Sequence, residues 1–322
     1  MSDTWVDRIG ERCIWVRLTI DTCASGAYYF GHGLRHASNA TCWRVLEAGA
    51  IAYMKFSVVT ISFNQAKFLE RALRSVLEQQ GVDVEYIILD PGSTDGSREI
   101  INSYRDRLDH VILEKDYGAA DGLNRGFTRA TGDVYCYLNS DDEFRPDAFS
   151  VVRSYFANHP EIDVICGHAY VVDTAGHVLR RIWSDPFQRL SQAYGGSIQI
   201  QPSTFIRASS FKGMGGFNAE NKITWDGELL IDLALSGARI GIIEAFLSNF
   251  RVHSLSITGS GRLDELMRSD FLLRFEKLMG RSWRYYDPLV AKYWFMVRQF
   301  RNPRAMIERL RYGPVYQRYS DS

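Results

Sequence analysis

The sequence predicts an α/β fold whose mainly parallel sheet is flanked by helices and turns mixed in its second half. Three observations carry this. Short apolar runs alternate with stretches of helical period from residue 55 to residue 138. Polar or acidic residues follow each of those runs. Beyond residue 160, two further apolar runs are joined by a short turn at Thr174–His177, which an all-parallel sheet does not allow.

The elements follow in order. "MKFSVVTISFNQ" supplies a strand over 56–61, and Phe68, Leu69, Ala72, Leu73, Val76 and Leu77 form one face of a helix over 66–79. A strand over 84–89 completes a βαβ unit. A helix near 95–105, a short strand over 110–113, a helix near 119–130 and the strand "DVYCYL" over 133–138 follow. Pro146 suits the first turn of a helix running to about Asn158. "DVICG", "HAYVVD" and "VLRRIW" read as three strands. A helix over 226–236 stops at Gly237, and two strands are expected near 239–243 and 247–252.

The 322 residues, 46% apolar and 13% aromatic, can bury a large core. Lys plus Arg equals Asp plus Glu, so no overall field favours nucleic acid, which is not expected as a partner. The five cysteines, Cys13, Cys23, Cys42, Cys136 and Cys166, form no CxxC pair, and their odd number fits a reducing cytoplasm. No run approaches the roughly 18 apolar residues of a membrane span, and "MSDTWVDRIGERC" lacks the apolar centre of a signal peptide.

Three regions are expected. Residues 1–53 hold no sustained period and look appended; Met54 would serve as an alternative start, a hypothesis that loss of folding on truncation to Met54 would refute. Residues 54–260 form the α/β domain. Residues 261–322 are basic and aromatic: from 271 to 318 there are eleven Lys or Arg against three acids, interleaved with Trp283, Tyr285, Tyr286, Tyr293, Trp294 and Phe295. Two readings stand for that stretch: peripheral contact with an anionic membrane, or basic and aromatic side chains lying along helices packed on the domain.

In an open parallel sheet, ligands bind beyond the carboxyl ends of the strands. The first strand delivers Ser62, Phe63 and Asn64, the second Asp90, and the fourth Asn139, Asp141 and Asp142. In "DPGSTDGS", Ser93 or Asp95 can cap the next helix, which leaves Asp90 able to accept from a nucleobase imide while Phe63 offers a stacking surface. "YCYLNSDDEFRPD" runs an apolar strand into two adjacent acids; a bound cation would balance them, and a solvated turn is the plainer alternative.

Four segments in order, "SVVTISFNQAKFLERALRSVLEQ", "YIILDPGSTDGSREII", "DYGAADGLNRGF" and "YCYLNSDDEFRPD", resemble the inverting GT-A-fold glycosyltransferases of the family 2 type, across about Phe56–His253. The resemblance implies a nucleotide-sugar donor, usually UDP-linked, a divalent cation (Mn²⁺ or Mg²⁺), and inversion at the anomeric carbon. It implies Asp141 as metal ligand within Asn139-Ser140-Asp141, where the first acid of the family's Asp-x-Asp is replaced. Asn139 would then touch the ribose or a metal-bound water, and Asp142 and His253 would assist at the metal.

The same resemblance aligns Asp226 in "GGFNAENKITWDGELLIDL" with the family's base, with Trp225 in place of the first acid. Glu228 is the fallback, on nearly the opposite side of a helix. A helix N-terminus would favour ionised Asp226. Gly118, Asp121 and Asn124 are expected to line the donor; Arg262 to bind phosphate, with Gly259 and Gly261 letting the loop close over the donor; and Gln199 or Gln201, beside an edge or bulge at Pro202, to meet acceptor hydroxyls.

The acceptor implied is a saccharide or lipid-linked molecule of bacterial surface polysaccharide or glycolipid assembly, and the location cytoplasmic, including the inner face of the plasma membrane. No QxxRW follows the base and no span is present, which favours addition of single sugars over processive synthesis. Two alternatives stand beside transfer. Nucleotidyl transfer would need a Gly-rich phosphate loop that "TISFNQAKF" lacks, and a degenerate nucleotide-sugar-binding module is suggested by Asn139 and Trp225.

Overall fold

The computed structural model describes residues 8–9, 12–13, 27–29, 34–36, 54–253 and 264–313. The chain divides into two units, Met1–Ala52 and Tyr53–Ser322. Among its described residues the first has Arg8–Ile9 paired antiparallel with Arg12–Cys13, and Ala27–Tyr29 with Leu34–His36.

Among its described residues the second unit has nine strands: β1 (Lys55–Ile61), β2 (Asp83–Leu89), β3 (His110–Ile112), β4 (Val134–Asn139), β5 (Glu143–Phe144), β6 (Val164–Val172), β7 (Val178–Ile182), β8 (Thr204–Arg207) and β9 (Ile240–Arg251). Their order is β3-β2-β1-β4-β8-β6-β9-β5, with β7 beside the far half of β6. β1 pairs in parallel with β2 and β4, whereas β8 runs antiparallel to β4 and β6, so the sheet is mixed in its second half.

Alternation along the strands splits the core into two layers. Phe56, Val58, Tyr86, Ile88, Val134, Cys136 and Leu138 face one way, against helices α1 (Ala66–Leu77), α2 (Ser97–Ser103) and α4 (Ala148–Asn158). Val59, Ile87, Leu89, Tyr135 and Tyr137 face the other, against α3 (Ala119–Arg129), α6 (Ala208–Met214) and α7 (Trp225–Leu235). The first layer is centred on a stacked Phe56–Phe149 pair, 5.0 Å between centroids, with Phe205 edge-on to both rings.

Four local expectations are corrected. "DVICG" and "HAYVVD" form the single strand β6, and 239–252 forms the single strand β9. Gly167 marks a bulge, not a strand end: the register shifts on both sides of His168, and a Cβ at Gly167 would lie 2.4 Å from Leu247 Cδ1. Pro146 precedes the helix: α4 starts at Ala148, behind a left-handed Asp147 (φ 64°). Pro202 sits in a 3₁₀ turn, Gln201–Ser203, which feeds β8 inside the sheet and forms no edge or bulge.

Helices α5 (Arg189–Ala193), α8 (Asp264–Met279), α9 (Asp287–Arg301) and α10 (Pro303–Tyr312) complete the unit. Tyr194, Ile231, Phe275 and Leu278 form a third cluster, with Trp283, Val290 and Trp294 packed against it. Buried Asp287 anchors α9 through two 2.7 Å contacts from Arg281 and the Tyr194 hydroxyl at 2.8 Å. No helix among the described residues is long and apolar enough to cross a membrane.

Candidate active site

Sheet register brings the sequence-predicted residues of three strands to one place. Ile61 of β1 is opposite both Leu89 of β2 and Asn139 of β4. One step on, Ser62 N–H donates to Leu89 O (2.8 Å), Ser140 N–H to Ile61 O (3.2 Å) and Asp90 N–H to Ile112 O (2.9 Å). Ser62, Asp90 and the run Asn139–Asp142 therefore share the carboxyl edge of the sheet.

Asp90 is fully buried. Its Oδ1 accepts from Gly92 N (3.0 Å), Ser93 N (2.7 Å) and Arg98 Nε (3.0 Å), while its buried Oδ2 has no partner among the described residues. Burial pushes this carboxyl up, but the donors on Ser93, Arg98 and Gly92 outweigh it and hold it below the usual range. An ionised acid with one bare inward oxygen is an acceptor awaiting a donor. The turn after β2 is stitched to the turn after β1: Asn64 N–H donates to Ser93 Oγ (2.8 Å), and Asp95 Oδ2 accepts from Ala66 N at the start of α1 (2.8 Å). Phe63, on the turn after β1, is 59% exposed.

At the end of β4, Asp141 Oδ2 and His253 Nε2 lie 3.0 Å apart, although 112 residues separate them. Asn139 Nδ2 donates to Gln201 Oε1 (3.1 Å), tying the acidic turn to the 3₁₀ turn before β8. Asp142 is buried; Arg251 N–H donates to its Oδ1 (2.9 Å), and its Oδ2 has no partner among the described residues. Burial, then the neighbouring Asp141 charge, push its carboxyl well up.

Arg251 was not singled out from sequence. Its side chain is buried; Nε donates to Asp141 O (2.9 Å), Nη1 to Asp173 O (2.5 Å) and Nη2 to Glu143. The ring of Phe68 lies against both the guanidinium (5.2 Å) and His253 (4.9 Å). The only sequence signal was a cation two residues before His253 in a run otherwise reading as strand.

The donor set suits a divalent cation: a carboxylate and an imidazole edge in contact, with an orphan carboxylate oxygen on the adjacent residue. Among the described residues no cluster of three or more His, Cys, Asp or Glu side chains has metal-holding geometry. A diphosphate would have to complete the shell.

The segment around α3 is less available. Asp121 Oδ2 accepts from Tyr117 N (3.0 Å) and pairs with Arg125 (2.8 Å), which commits it to fixing the turn at Gly118 (φ 118°). Asn124 is corrected from donor lining to scaffold, because its amide both donates to Phe217 O and accepts from Phe217 N, each at 2.8 Å. That pair locks the Gly215-Gly216 turn leading to α7.

Asp226 sits half-buried in the first turn of α7. Burial raises its carboxyl despite N–H donors from Gly227 and its own backbone and a nearby Arg274, which reverses the expectation that the helix N-terminus would dominate. Burial, then the charges of Asp226 and Asp142, push the Tyr137 phenol well up. Glu228 is held by Asn221 Nδ2 (2.8 Å), Asn218 Nδ2 (3.1 Å) and Lys277 Nζ (3.1 Å). Trp225, in place of an acid, packs on Tyr137 (5.3 Å) and Phe217 (5.0 Å). Gln201 also donates to Tyr137 O (3.1 Å), while Gln199 donates to Asp185 O (3.0 Å), away from this edge. Gly259, Gly261 and Arg262 lie outside the described residues.

Residues 57–215 match the family model "Glycosyl transferase family 2". Residues 57–215 form a glycosyltransferase family 2 domain. The chain is 34% identical over 131 residues to an uncharacterised glycosyltransferase, alr2836, of Nostoc sp., with 38% of this chain and 41% of that protein covered. It thus spans about two fifths of that relative's length. Among solved structures, TarS 1-349 of S. aureus in complex with UDP-GlcNAc superposes with a TM-score of 0.56 at 19% identity, covering 77% of this chain and 73% of that one. The mannosyltransferase PcManGT of Pyrobaculum calidifontis, in complex with GDP-Man and Mn²⁺, gives 0.54 at 16%, covering 86% and 87%. These likenesses establish the GT-A fold.

Proposed function

We propose that the chain transfers a sugar from a nucleoside-diphosphate sugar, UDP-linked, to a hydroxyl group, with inversion and with Mn²⁺ or Mg²⁺ bound at Asp141 and His253. The observation that carries this is the convergence at one sheet edge of a bare acceptor oxygen on Asp90 and the Asp141–His253 contact. The donor classes in the TarS and PcManGT complexes support the same reading.

Asp90 would accept from the imide N–H of the base, with the base lying on Phe63. Asp141 and His253 would hold the cation, which when bound supplies neutralisation of the departing diphosphate. Asp226 takes the proton of the acceptor hydroxyl as that oxygen bonds to the anomeric carbon and the bond from that carbon to the diphosphate breaks. A carboxyl raised above its ordinary range is a better base than a common surface aspartate. Glu228, bound by three donors, serves to hold the turn before α7. The acceptor is a saccharide or lipid-linked molecule of surface polysaccharide or glycolipid assembly, reached from the cytoplasmic side.

The test is a panel of nucleotide sugars scored by thermal protection with and without Mn²⁺, followed by NMR of the anomeric product or hydrolysate. UDP-sugars should protect only with the metal and yield the inverted anomer. Protection by a GDP-sugar alone would overturn the base assignment, and binding without any turnover would favour a binding module.

A further inference from the structure

Helix α9 carries two apolar faces. Val290 and Trp294 turn inward onto the third core cluster. Leu289, Tyr293, Met296 and Phe300, spaced at i, i+4, i+7 and i+11, form a second stripe that faces solvent, each more than half exposed. On α10, Ile307 and Leu310 are likewise open. The two helices are adjacent, since Arg309 stacks over Phe295 at 4.8 Å.

The exposed charge on α9 and α10 themselves has one sign. Lys292, Arg301, Arg304, Arg309 and Arg311 are exposed. The two acids of 287–313 are buried and matched, Asp287 to Arg281 and Glu308 to Arg181 (3.0 Å). Arg304 also reaches Glu244 of β9, at 3.7 Å. Burial of both acids leaves α9 and α10 with exposed cations and no exposed anion of their own.

We propose that α9 and α10 form a docking surface for an anionic lipid bilayer, with the Leu289–Phe300 stripe entering the interface and the five cations meeting headgroups. A bare apolar stripe flanked by long cations is the pattern of a helix lying in the membrane plane. Each cation near an anionic surface strengthens binding about fivefold. A second copy of the chain is a poor occupant, because a self-complementary contact would set like charges against each other. The proposal goes beyond the transfer reading and is scored without donor, acceptor or metal.

The full chain is sedimented with vesicles of phosphatidylcholine alone and of phosphatidylcholine mixed with phosphatidylglycerol. Binding at least tenfold stronger to the anionic vesicles, falling with added salt, is expected. Met296→Ser with Phe300→Ser should lower it tenfold or more, as should Lys292→Glu with Arg309→Glu, at unchanged Tm. Equal binding to both vesicles, binding to neither, or undiminished binding by the variants overturns the proposal. So does a serine variant with lowered Tm, or with lost self-association in light scattering, since either would mean that protein already covers the stripe.

Discussion

At the scale of single residues, the site depends on how each acid is balanced. Asp226 is unlike Asp90: Asp90 is fully buried but receives three donors at one oxygen and is held low, while at the half-buried Asp226 desolvation prevails and raises it. Asp226→Asn should leave donor binding intact and lower kcat by about 10²- to 10⁴-fold, read from turnover and calorimetry of the same samples. The sign for stability runs the other way. A carboxyl whose pKa is raised on folding binds its proton more tightly when folded, so its ionisation destabilises as pH rises through that raised value. Asp226→Asn should therefore melt higher than the parent at neutral pH, with the gain vanishing in acid. A lower Tm at neutral pH would contradict the burial that defines this group. Arg251 presents the opposite case, a buried cation that balances Glu143 and the acidic turn. Arg251→Met leaves those carboxylates without it and should cost about 3–5 kcal/mol in denaturant unfolding.

At the scale of elements, the turns after β1, β2 and β4 were legible because polar residues after an apolar run have few other uses. The 3.6-residue period of α1 and α3 was legible for the same local reason. What local pattern could not show is pairing across the chain: Asp141 with His253, Arg251 with Glu143, Asn124 with Phe217. Nor could it show that β6 and β9 continue through bulges, since the extra residues break the alternation that marks a strand. The Asn124–Phe217 lock gives a prediction at this scale. Gly216 has φ 93°, and a Cβ there would stand 2.5 Å from Asn124 Oδ1. Gly216→Ala should cost about 1–3 kcal/mol of stability and displace the start of α7, weakening turnover more than donor affinity. Unchanged turnover would show that the turn does not position Asp226.

At the scale of the whole molecule, the two ends of the parallel strands carry opposite roles. The carboxyl ends gather acids with orphan oxygens at Asp90 and Asp142, whereas at the amino ends buried Glu85 is fully satisfied. It accepts from Ser57 Oγ, Thr131 N (2.7 Å) and Thr131 Oγ1 (2.7 Å), with Lys55 Nζ at 3.4 Å, and so joins β1, β2 and the loop before β4. Burial alone would raise its carboxyl, but the Ser57 and Thr131 donors, helped by Lys55, bring it down to about 2. Because the folded value lies below the unfolded one of about 4.3, the group stabilises the fold above that pH and ceases to as pH falls through 2, a contribution of about 3 kcal/mol. Glu85→Gln should therefore unfold at lower urea than the parent at neutral pH, and the two curves should converge near pH 2. Since Glu85 lies at the end of the sheet away from the candidate site, affinity for the donor, measured where both proteins are folded, should not change. A fall in that affinity would mean that the amino ends of the strands set the geometry of the carboxyl edge, and that the sheet does not isolate the site from its foundation.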